Sequence, residues 1–357
     1  MTRDDKNKRI YWLIIFIIFI SGCATTRIRH AVPVGLAESA QIIGRQDIRL
    51  FEGGTNTFIA DGLIKSLEQE TNEVYFKGSE GKKIYSAIAI SGGAANGAYG
   101  AGLLKGWSQS GTRPVFKIVT GISTGAIMAP LVFLGSRYDD KLEKFYTTYS
   151  TKDIMRKKGL LGIFFGNSFT DNRPLKRLIG EYLDKHMLEE ISREYHKGRR
   201  LYIGTTSLDH QKLVIWDMGK IASIGDDKAL ELFRKVILAS ASIPAAFPPV
   251  YFDVEVNGVV YDEMHVDGGI TRQVFFLYGI LQSFEDVAKT RNIDTSKIGY
   301  RIYIIRNGYM NGPWQEVPDK LPDIAKRAVD TIVTAQGLGD IYQLYLFTKK
   351  QGGDFNL

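Results

Sequence analysis

The chain has 357 residues, 44% of them hydrophobic and 24% charged, a composition typical of a globular protein long enough to bury a sizeable core. Its net charge is +7, but the basic residues form only short clusters and accompany no nucleic-acid-binding motif, so the charge does not indicate a nucleic-acid-binding protein. The single cysteine, Cys23, excludes an internal disulfide. Because the ligand spacings of common metal sites are missing, we predict neither a metal nor a cofactor.

The N-terminus has the pattern of an export signal. Basic residues precede an unbroken apolar run from Ile10 to Ile20, and small residues lead to Cys23. This order is typical of a signal peptide, and the run is shorter than the roughly 20 residues that span a bilayer. Residues 20–23, Ile-Ser-Gly-Cys, resemble the lipobox of bacterial lipoproteins. The alternative is a plain signal peptide or an uncleaved anchor with an incidental thiol.

The lipobox resemblance has consequences for localisation. It implies that residues 1–22 are removed and that Cys23 is lipidated, which anchors the protein in the cell envelope. Ala24 follows the cysteine, whereas Asp at this position marks inner-membrane retention in that family. The resemblance therefore favours the outer membrane, if the organism has one.

Residues 23–82 are expected to form a tether or an accessory segment, with one amphipathic helix over residues 58–70. The pattern changes at Ile84. An apolar strand over 84–90, a Gly-rich turn and a helix over 98–109 are followed by a strand over 115–120 and a helix over 124–134. Strand–turn–helix repeated in this way predicts a parallel sheet covered by helices, so a single domain is assigned to 83–357.

Further elements are expected downstream. Gly159 to Gly166 is apolar and punctuated by glycine, which favours a buried loop or short core helix over a segment that meets lipid. The remaining predicted strands cover residues 201–206, 212–217, 264–266 and 300–306, and the remaining predicted helices cover residues 230–239, 274–288 and 323–347.

Gly121-Ile-Ser123-Thr-Gly125 matches the G-x-S-x-G nucleophile elbow. In this motif a strand turns sharply into a helix, so that the serine Oγ projects from the edge of the sheet. The glycines allow the close backbone approach that the turn requires. Because a strand is predicted before Ser123 and a helix after it, the motif indicates a catalytic serine.

Two further motifs are ambiguous when taken singly. Residues 91–97, Ser-Gly-Gly-Ala-Ala-Asn-Gly, follow the first predicted strand, and their backbone N–H groups can stabilise an oxyanion. They match neither a P-loop nor a dinucleotide fingerprint, and alone they favour a tight crossover. Asp267-Gly268-Gly269 can place a carboxylate at a sheet edge, but alone it favours a turn.

Together these motifs, and the segment Ala239 to Val250, resemble the patatin-like phospholipases over roughly residues 84–306. The resemblance implies a three-layer α/β/α fold with a mainly parallel central sheet. It also implies a serine acyl hydrolase that cleaves carboxylic esters of lipids, as phospholipase A or lysophospholipase, through an acyl-enzyme. Ser123 would be the nucleophile and Asp267 the base of a Ser–Asp dyad, and the N–H groups of Gly92, Gly93 and Ala94 would form the oxyanion hole.

The sequence departs from the family pattern at two positions. Ala94 replaces a glycine, and its N–H remains available provided that its φ is negative. Asn96 replaces a basic residue, so it can donate a hydrogen bond but brings no charge. Since an ordinary Asp has a pKa of about 3.9, we also expect burial to raise the pKa of Asp267 so that it can act as a base near neutrality.

Two alternatives remain open at this stage. A Ser–His–Asp esterase would need a histidine after Ser123, and His265 is the candidate because it shares a strand face with Asp267. A catalytically weak or inactive lipoprotein could instead use the same fold as a membrane-associated binding module, as the replacements at Ala94 and Asn96 suggest.

Overall fold

The structure is a computed structural model, and it describes residues 28–54, 57–159 and 167–357. The predicted signal peptide, the lipidation site Cys23 and residues 160–166 of the apolar segment lie outside the described residues.

Thirteen strands occur in the part of the chain that the structure describes. They are β1 (Gln41–Ile42), β2 (Arg49–Phe51), β3 (Phe76–Lys77), β4 (Lys83–Ile90), β5 (Ile118–Ile122), β6 (Arg156–Lys157), β7 (Thr170–Asp171), β8 (Arg200–Ser207), β9 (Lys212–Asp217), β10 (Val250–Val256), β11 (Val259–Asp267), β12 (Ile298–Ile305) and β13 (Asp354–Asn356).

Eleven α-helices occur in the same described ranges. They are α1 (Phe58–Gln69), α2 (Gly97–Gln109), α3 (Thr124–Leu134), α4 (Asp139–Thr148), α5 (Thr151–Ile154), α6 (Arg173–Tyr182), α7 (Lys185–His196), α8 (Met218–Ile224), α9 (Asp227–Ser240), α10 (Tyr278–Thr290) and α11 (Leu321–Lys350).

One 11-stranded sheet organises the molecule, with the order β1-β10-β11-β8-β5-β4-β12-β13 along its main path. Its centre is parallel, because β8, β5, β4, β12 and β13 all run in one direction. Antiparallel strands flank this centre: β11 pairs with β8, β10 with β11, and β9 with β8. The carboxyl ends of the parallel strands therefore meet at one edge of the sheet, where α/β proteins place their ligands.

Apolar residues on both faces of the sheet produce the three layers. Along β4, Ile88 and Ile90 join one buried cluster with α2, α3 and α6 to α9. Ala87 and Ala89 point the other way and pack with α1, α10 and the second half of α11. A strand that is covered by helices on both faces reads as a continuous apolar run. The predicted α/β/α fold with a mainly parallel centre is confirmed.

Three short strands within residues 28–82 join this sheet. β1 pairs with β10, β2 with β9 and β3 with β4. The apolar face of α1, formed by Ile59, Leu63 and Ile64, is almost fully buried in the second cluster. The described part of residues 28–82 therefore packs against the rest of the protein as an accessory segment.

The expected elements around the motifs are present, and the differences from the expectations have simple causes. Helix α3 is buried at every position except Ile127, as expected for a helix that is apolar on all sides. The helix expected over 274–288 begins only at Tyr278, and the buried residues 274–277 precede it as a loop. An apolar run alone does not separate a helix from a buried loop.

The hairpin of β10 and β11 was predicted only as the short strand 264–266, and the polar, amphipathic helices α4, α6 and α7 were not predicted. Across the described ranges, none of the helices has the length and apolar character needed to cross a bilayer.

Candidate active site

Ser123 lies in a sharp turn between β5 and α3. Its φ of +54° and ψ of −120° are unusual for a residue with a side chain, and such strain is typical of a nucleophile elbow. The turn depends on the two flanking glycines. A Cβ atom on Gly121 would lie 2.4 Å from the Gly125 carbonyl oxygen, and one on Gly125 would lie 2.2 Å from the Ile90 carbonyl oxygen. The predicted elbow geometry is therefore present at Gly121 and Gly125.

A second serine supports the elbow from behind. The Ser123 N–H donates to the Ser240 Oγ at 3.0 Å, and the Ser240 hydroxyl donates to the Gly204 carbonyl on β8 at 2.7 Å. Ser240 is fully buried at the end of α9. This chain of hydrogen bonds ties the strained residue to the centre of the sheet.

Asp267 reaches the same point because β8 pairs with both strands that carry the motifs. Ile122, the last residue of β5, is opposite Gly204, and Asp267, the last residue of β11, is opposite the next residue, Thr205. The ends of β5 and β11 are thereby brought together at the sheet edge. A Cβ atom on Gly268 would meet the Gly204 carbonyl oxygen at 2.5 Å, so the turn after Asp267 requires glycine there.

The Asp267 carboxylate is buried, with a relative exposure of 4%. Its Oδ1 accepts from the Gly269 N–H at 2.7 Å, whereas its Oδ2 has no hydrogen-bond partner among the described residues. The Ser123 hydroxyl is close enough to influence this carboxyl group, although within the described ranges no hydrogen bond of ordinary geometry joins the two side chains.

Burial raises the pKa of Asp267 from its ordinary value of 3.8 to about 7. The interactions with the Ser123 hydroxyl and the Gly269 N–H lower it, but burial outweighs both. An ionised carboxylate with an unpartnered oxygen is costly in such a position. The carboxyl group can therefore bind a proton near neutral pH, which agrees with the expected effect of burial.

The Gly-rich loop packs beside the serine, since a Cβ atom on Gly92 would lie 3.2 Å from the Ser123 Cβ. The Gly92 N–H donates to the Gln273 carbonyl at 3.1 Å, so this predicted oxyanion donor is already engaged. The N–H groups of Gly93 and Ala94 have no hydrogen-bond partner within the part of the chain that the structure describes.

The conformation of this loop corrects one expectation. The φ of Ala94 is +49°, not negative, so the alanine occupies the left-handed region that favours glycine. Its N–H nevertheless has no main-chain partner among the described residues, so the condition of a negative φ was not needed. At Gly93 a glycine is required for another reason, because a Cβ atom there would lie 2.1 Å from the Asn307 carbonyl oxygen. Asn307 also holds the loop from below, since its main-chain and side-chain N–H groups donate to the Ser91 Oγ and carbonyl oxygen.

Comparison with known protein families identifies the chain. The family model of the patatin-like phospholipases matches residues 88–279, a span that contains the Gly-rich loop, the elbow and Asp267. The protein belongs to the patatin-like phospholipase family. Lipid acyl hydrolysis is thus the activity that its family indicates.

Two further comparisons add little. The crystal structure of VipD from Legionella pneumophila is similar over 74% of this chain and 57% of that chain, with 12% sequence identity and a TM-score of 0.34. The chain thus spans little more than half the length of that structure. No match was found among curated proteins.

His265, the histidine that a Ser–His–Asp triad would need, hydrogen bonds to residues other than Ser123 and Asp267. His265 is fully buried, and its Nδ1 pairs with the Thr205 Oγ1 at 2.9 Å and its Nε2 with a Glu263 carboxylate oxygen at 3.1 Å. Burial lowers the pKa of His265 despite the contact with Glu263. Among the described residues, no histidine hydrogen bonds to Ser123.

A groove begins beside the Gly-rich loop. It has a volume of about 780 Å³, within the range of small-molecule sites. Its lining includes Asn96 and the exposed apolar side chains of Tyr99, Leu103, Tyr309 and Met310. In the described residues, no group of three or more His, Cys, Asp or Glu side chains is arranged to hold a metal ion.

Four residues that support the site lie far from it in the chain and are not predicted by any motif: Ser240, Gln273, Asn307 and Asp340. Only Ser240 lay in a segment already singled out by its resemblance to the family. The other three carry no local motif, and their contacts become visible only in the folded chain.

Proposed function

We propose that the protein is a serine acyl hydrolase that cleaves carboxylic esters of lipids, with Ser123 as nucleophile and Asp267 as base. The observation that carries the proposal is the meeting of the strained Ser123 with a buried carboxyl group whose pKa burial raises to about 7. A serine hydroxyl needs an adjacent base to act as a nucleophile. The free N–H groups of Gly93 and Ala94 support the proposal as donors to an oxyanion.

The proposed reaction has two halves. The Ser123 Oγ attacks the ester carbonyl carbon while its proton passes to Asp267, and the carbonyl oxygen gains the negative charge beside the Gly93 and Ala94 N–H groups. The intermediate expels the alcohol, which takes the proton from Asp267, and an acyl-serine remains. Water then attacks the acyl carbonyl, Asp267 accepts its proton, and the fatty acid leaves as the proton returns to Ser123.

An apolar groove beside the Gly-rich loop supports a lipid substrate. The groove beside Asn96 exposes Tyr99, Leu103, Tyr309 and Met310, and these apolar side chains offer a surface for an acyl chain. We place the acyl chain of a phospholipid or lysophospholipid there.

Labelling and product analysis test the proposal. We expect a fluorophosphonate probe to form an adduct at Ser123, and mass spectrometry to detect fatty acid released from phospholipid or lysophospholipid vesicles. Ser123→Ala and Asp267→Asn should abolish release, whereas the exposed Ser110→Ala should not change it. The acidic limb of kcat/KM should fall near pH 7, the pKa to which burial raises Asp267. The absence of both adduct and fatty acid would favour a binding module instead.

We also propose that residues 1–22 are a signal peptide, that Cys23 carries the lipid anchor in the cell envelope, and that residues 83–357 form the hydrolase domain. The basis is the lipobox-like sequence before Cys23, and multiple acyl chains give stable anchoring. A clickable fatty acid should label the wild-type chain in bacteria but not Cys23→Ala, which should leave the membrane fraction. Labelling that survives in Cys23→Ala would contradict the assignment.

A further inference from the structure

Gln273 lies where the three parts of the proposed site meet. It follows the 3₁₀ turn of Gly268–Ile270, and only 6% of its surface is exposed. Its carbonyl oxygen accepts the Gly92 N–H at 3.1 Å, and its side-chain Nε2 donates to the Gly269 carbonyl at 2.6 Å. One residue therefore joins the loop beside Ser123 to the turn after Asp267.

The contact with Gly269 acts directly on the candidate base. Gly269 provides the N–H that binds the Asp267 Oδ1 at 2.7 Å, and its carbonyl is held by Gln273. Both main-chain polar groups of Gly269 are thus fixed by hydrogen bonds. Its N–H binds the Asp267 carboxylate, and its carbonyl binds the Gln273 side-chain amide. Displacement of Gly269 would remove the only hydrogen bond of ordinary geometry that the Asp267 carboxylate accepts from the described residues.

Gln273 is itself anchored from two directions. Its main-chain N–H donates to the Asp340 Oδ2 on α11 at 2.7 Å, and its Oε1 accepts from the Arg306 guanidinium at 3.3 Å. A cation at the amide oxygen polarises the amide, and hydrogen bonds in such a chain strengthen one another. Arg306 thereby favours donation from the Gln273 Nε2 to Gly269.

We propose that Gln273 is a positioning residue, which holds the Asp267 carboxylate and the Gly-rich loop in register with Ser123. The inference rests on the proposed function. Supporting residues of this kind matter because a displacement of about 1 Å at a reacting group can cost roughly 100-fold in rate.

Several charged groups in this region bind partners other than Asp267, including Glu263 with Arg49 and Asp340 with Arg272. On β11, His265 and Glu263 bind each other, and beyond β12 and on α11, Arg306 and Asp340 bind Gln273. The Gly269 N–H remains as a main-chain contact that lowers the pKa of Asp267. Loosening that contact should therefore move the acidic limb of the reaction to higher pH.

Two near-isosteric variants test the role. Gln273→Met keeps the length of the side chain but removes both polar atoms, and Gln273→Glu keeps the shape and the acceptor for Arg306 but replaces the donor to Gly269. Gln336→Met is the matched control, since the Gln336 Nε2 donates to the neighbouring Ile270 carbonyl at 3.4 Å and not to the Gly269 carbonyl. Rates are expressed per site titrated with fluorophosphonate, so that unfolded protein is not counted.

We expect both Gln273 variants to lose kcat by about 10- to 100-fold with little change in KM, and to shift the acidic limb of kcat to higher pH. The shift should be larger for Gln273→Glu, because an added carboxylate disfavours ionisation of Asp267. Gln336→Met should retain the wild-type kcat and limb. Should Gln273→Met not fold, the same comparison with Gln273→Glu decides the question.

If the Gln273 variants had the wild-type kcat per titrated site, or a reduced kcat with an unchanged acidic limb, the positioning role would be overturned. The proposed function would still stand in that case, provided that Ser123→Ala was inactive. Wild-type protein that neither hydrolyses lipid nor takes the probe at Ser123 would instead overturn the proposed function, and the positioning role with it.

Discussion

Replacement of Asp267 by Asn should stabilise the protein in a pH-dependent way. The carboxyl group titrates at about 3.8 when ordinary and at about 7 in the fold. The folded chain therefore binds this proton more tightly than the unfolded chain, and the free energy of unfolding falls as the pH rises between these values. Asn cannot ionise, so the variant escapes this loss.

The magnitude follows from the shift. A pKa change of about 3 units corresponds to a loss of roughly 4 kcal/mol in the free energy of unfolding. The wild-type protein suffers this whole loss above pH 7 and none of it below pH 3.8. Between pH 5 and pH 7 about 2 of these units are traversed, or roughly 3 kcal/mol. Any fixed cost of burying the Asn amide is the same at both pH values and cancels in the comparison.

Urea unfolding at pH 5 and pH 8 measures the effect. We expect the stability of Asp267→Asn relative to wild type to be about 3 kcal/mol more favourable at pH 8 than at pH 5. The exposed Asp319→Asn controls for the loss of one acidic side chain, and its relative stability should not change in this way. A relative stability of Asp267→Asn that is equal at the two pH values would refute the argument, because it would mean that Asp267 titrates alike in the folded and unfolded chains.

Three further predictions concern the backbone of the site and the rival triad. Ala94→Gly should raise the free energy of unfolding by up to about 1 kcal/mol, because the φ of Ala94 is +49°. The control Ala95→Gly should lower it by a similar amount. Chemical denaturation that ranks the two variants in the opposite order would contradict this prediction. Gly125→Ala should greatly reduce soluble folded protein, since its Cβ would meet a carbonyl oxygen at 2.2 Å, while the unobstructed, exposed Gly102→Ala on α2 should be neutral or stabilising by up to about 1 kcal/mol in thermal unfolding. His265→Ala should lower the free energy of unfolding, because it disrupts a buried hydrogen-bond network. It should nevertheless retain most of the hydrolysis per folded molecule in a vesicle assay. A loss of activity equal to that of Ser123→Ala would support a Ser–His–Asp triad instead.

Sequence alone predicted the fold class and the local conformation at the nucleophile elbow. A strand, a glycine, a serine, a glycine and an apolar helix specify the turn at Ser123 through short-range sterics, which act within a few residues. The alternation of apolar runs with helical patterns predicted the helix-covered sheet in the same way. These signals are local, so they are legible in the chain before it folds.

The tertiary structure decided how the motifs combine. Pairing with adjacent positions on β8 brings Asp267 to Ser123, and burial there raises the pKa of Asp267. Both effects depend on residues that are distant in the chain. The same holds for the Gly92 N–H, which Gln273 already occupies, and for residues 28–82, which join the sheet. Pairing register and desolvation are properties of the packed molecule, and no stretch of sequence contains them by itself.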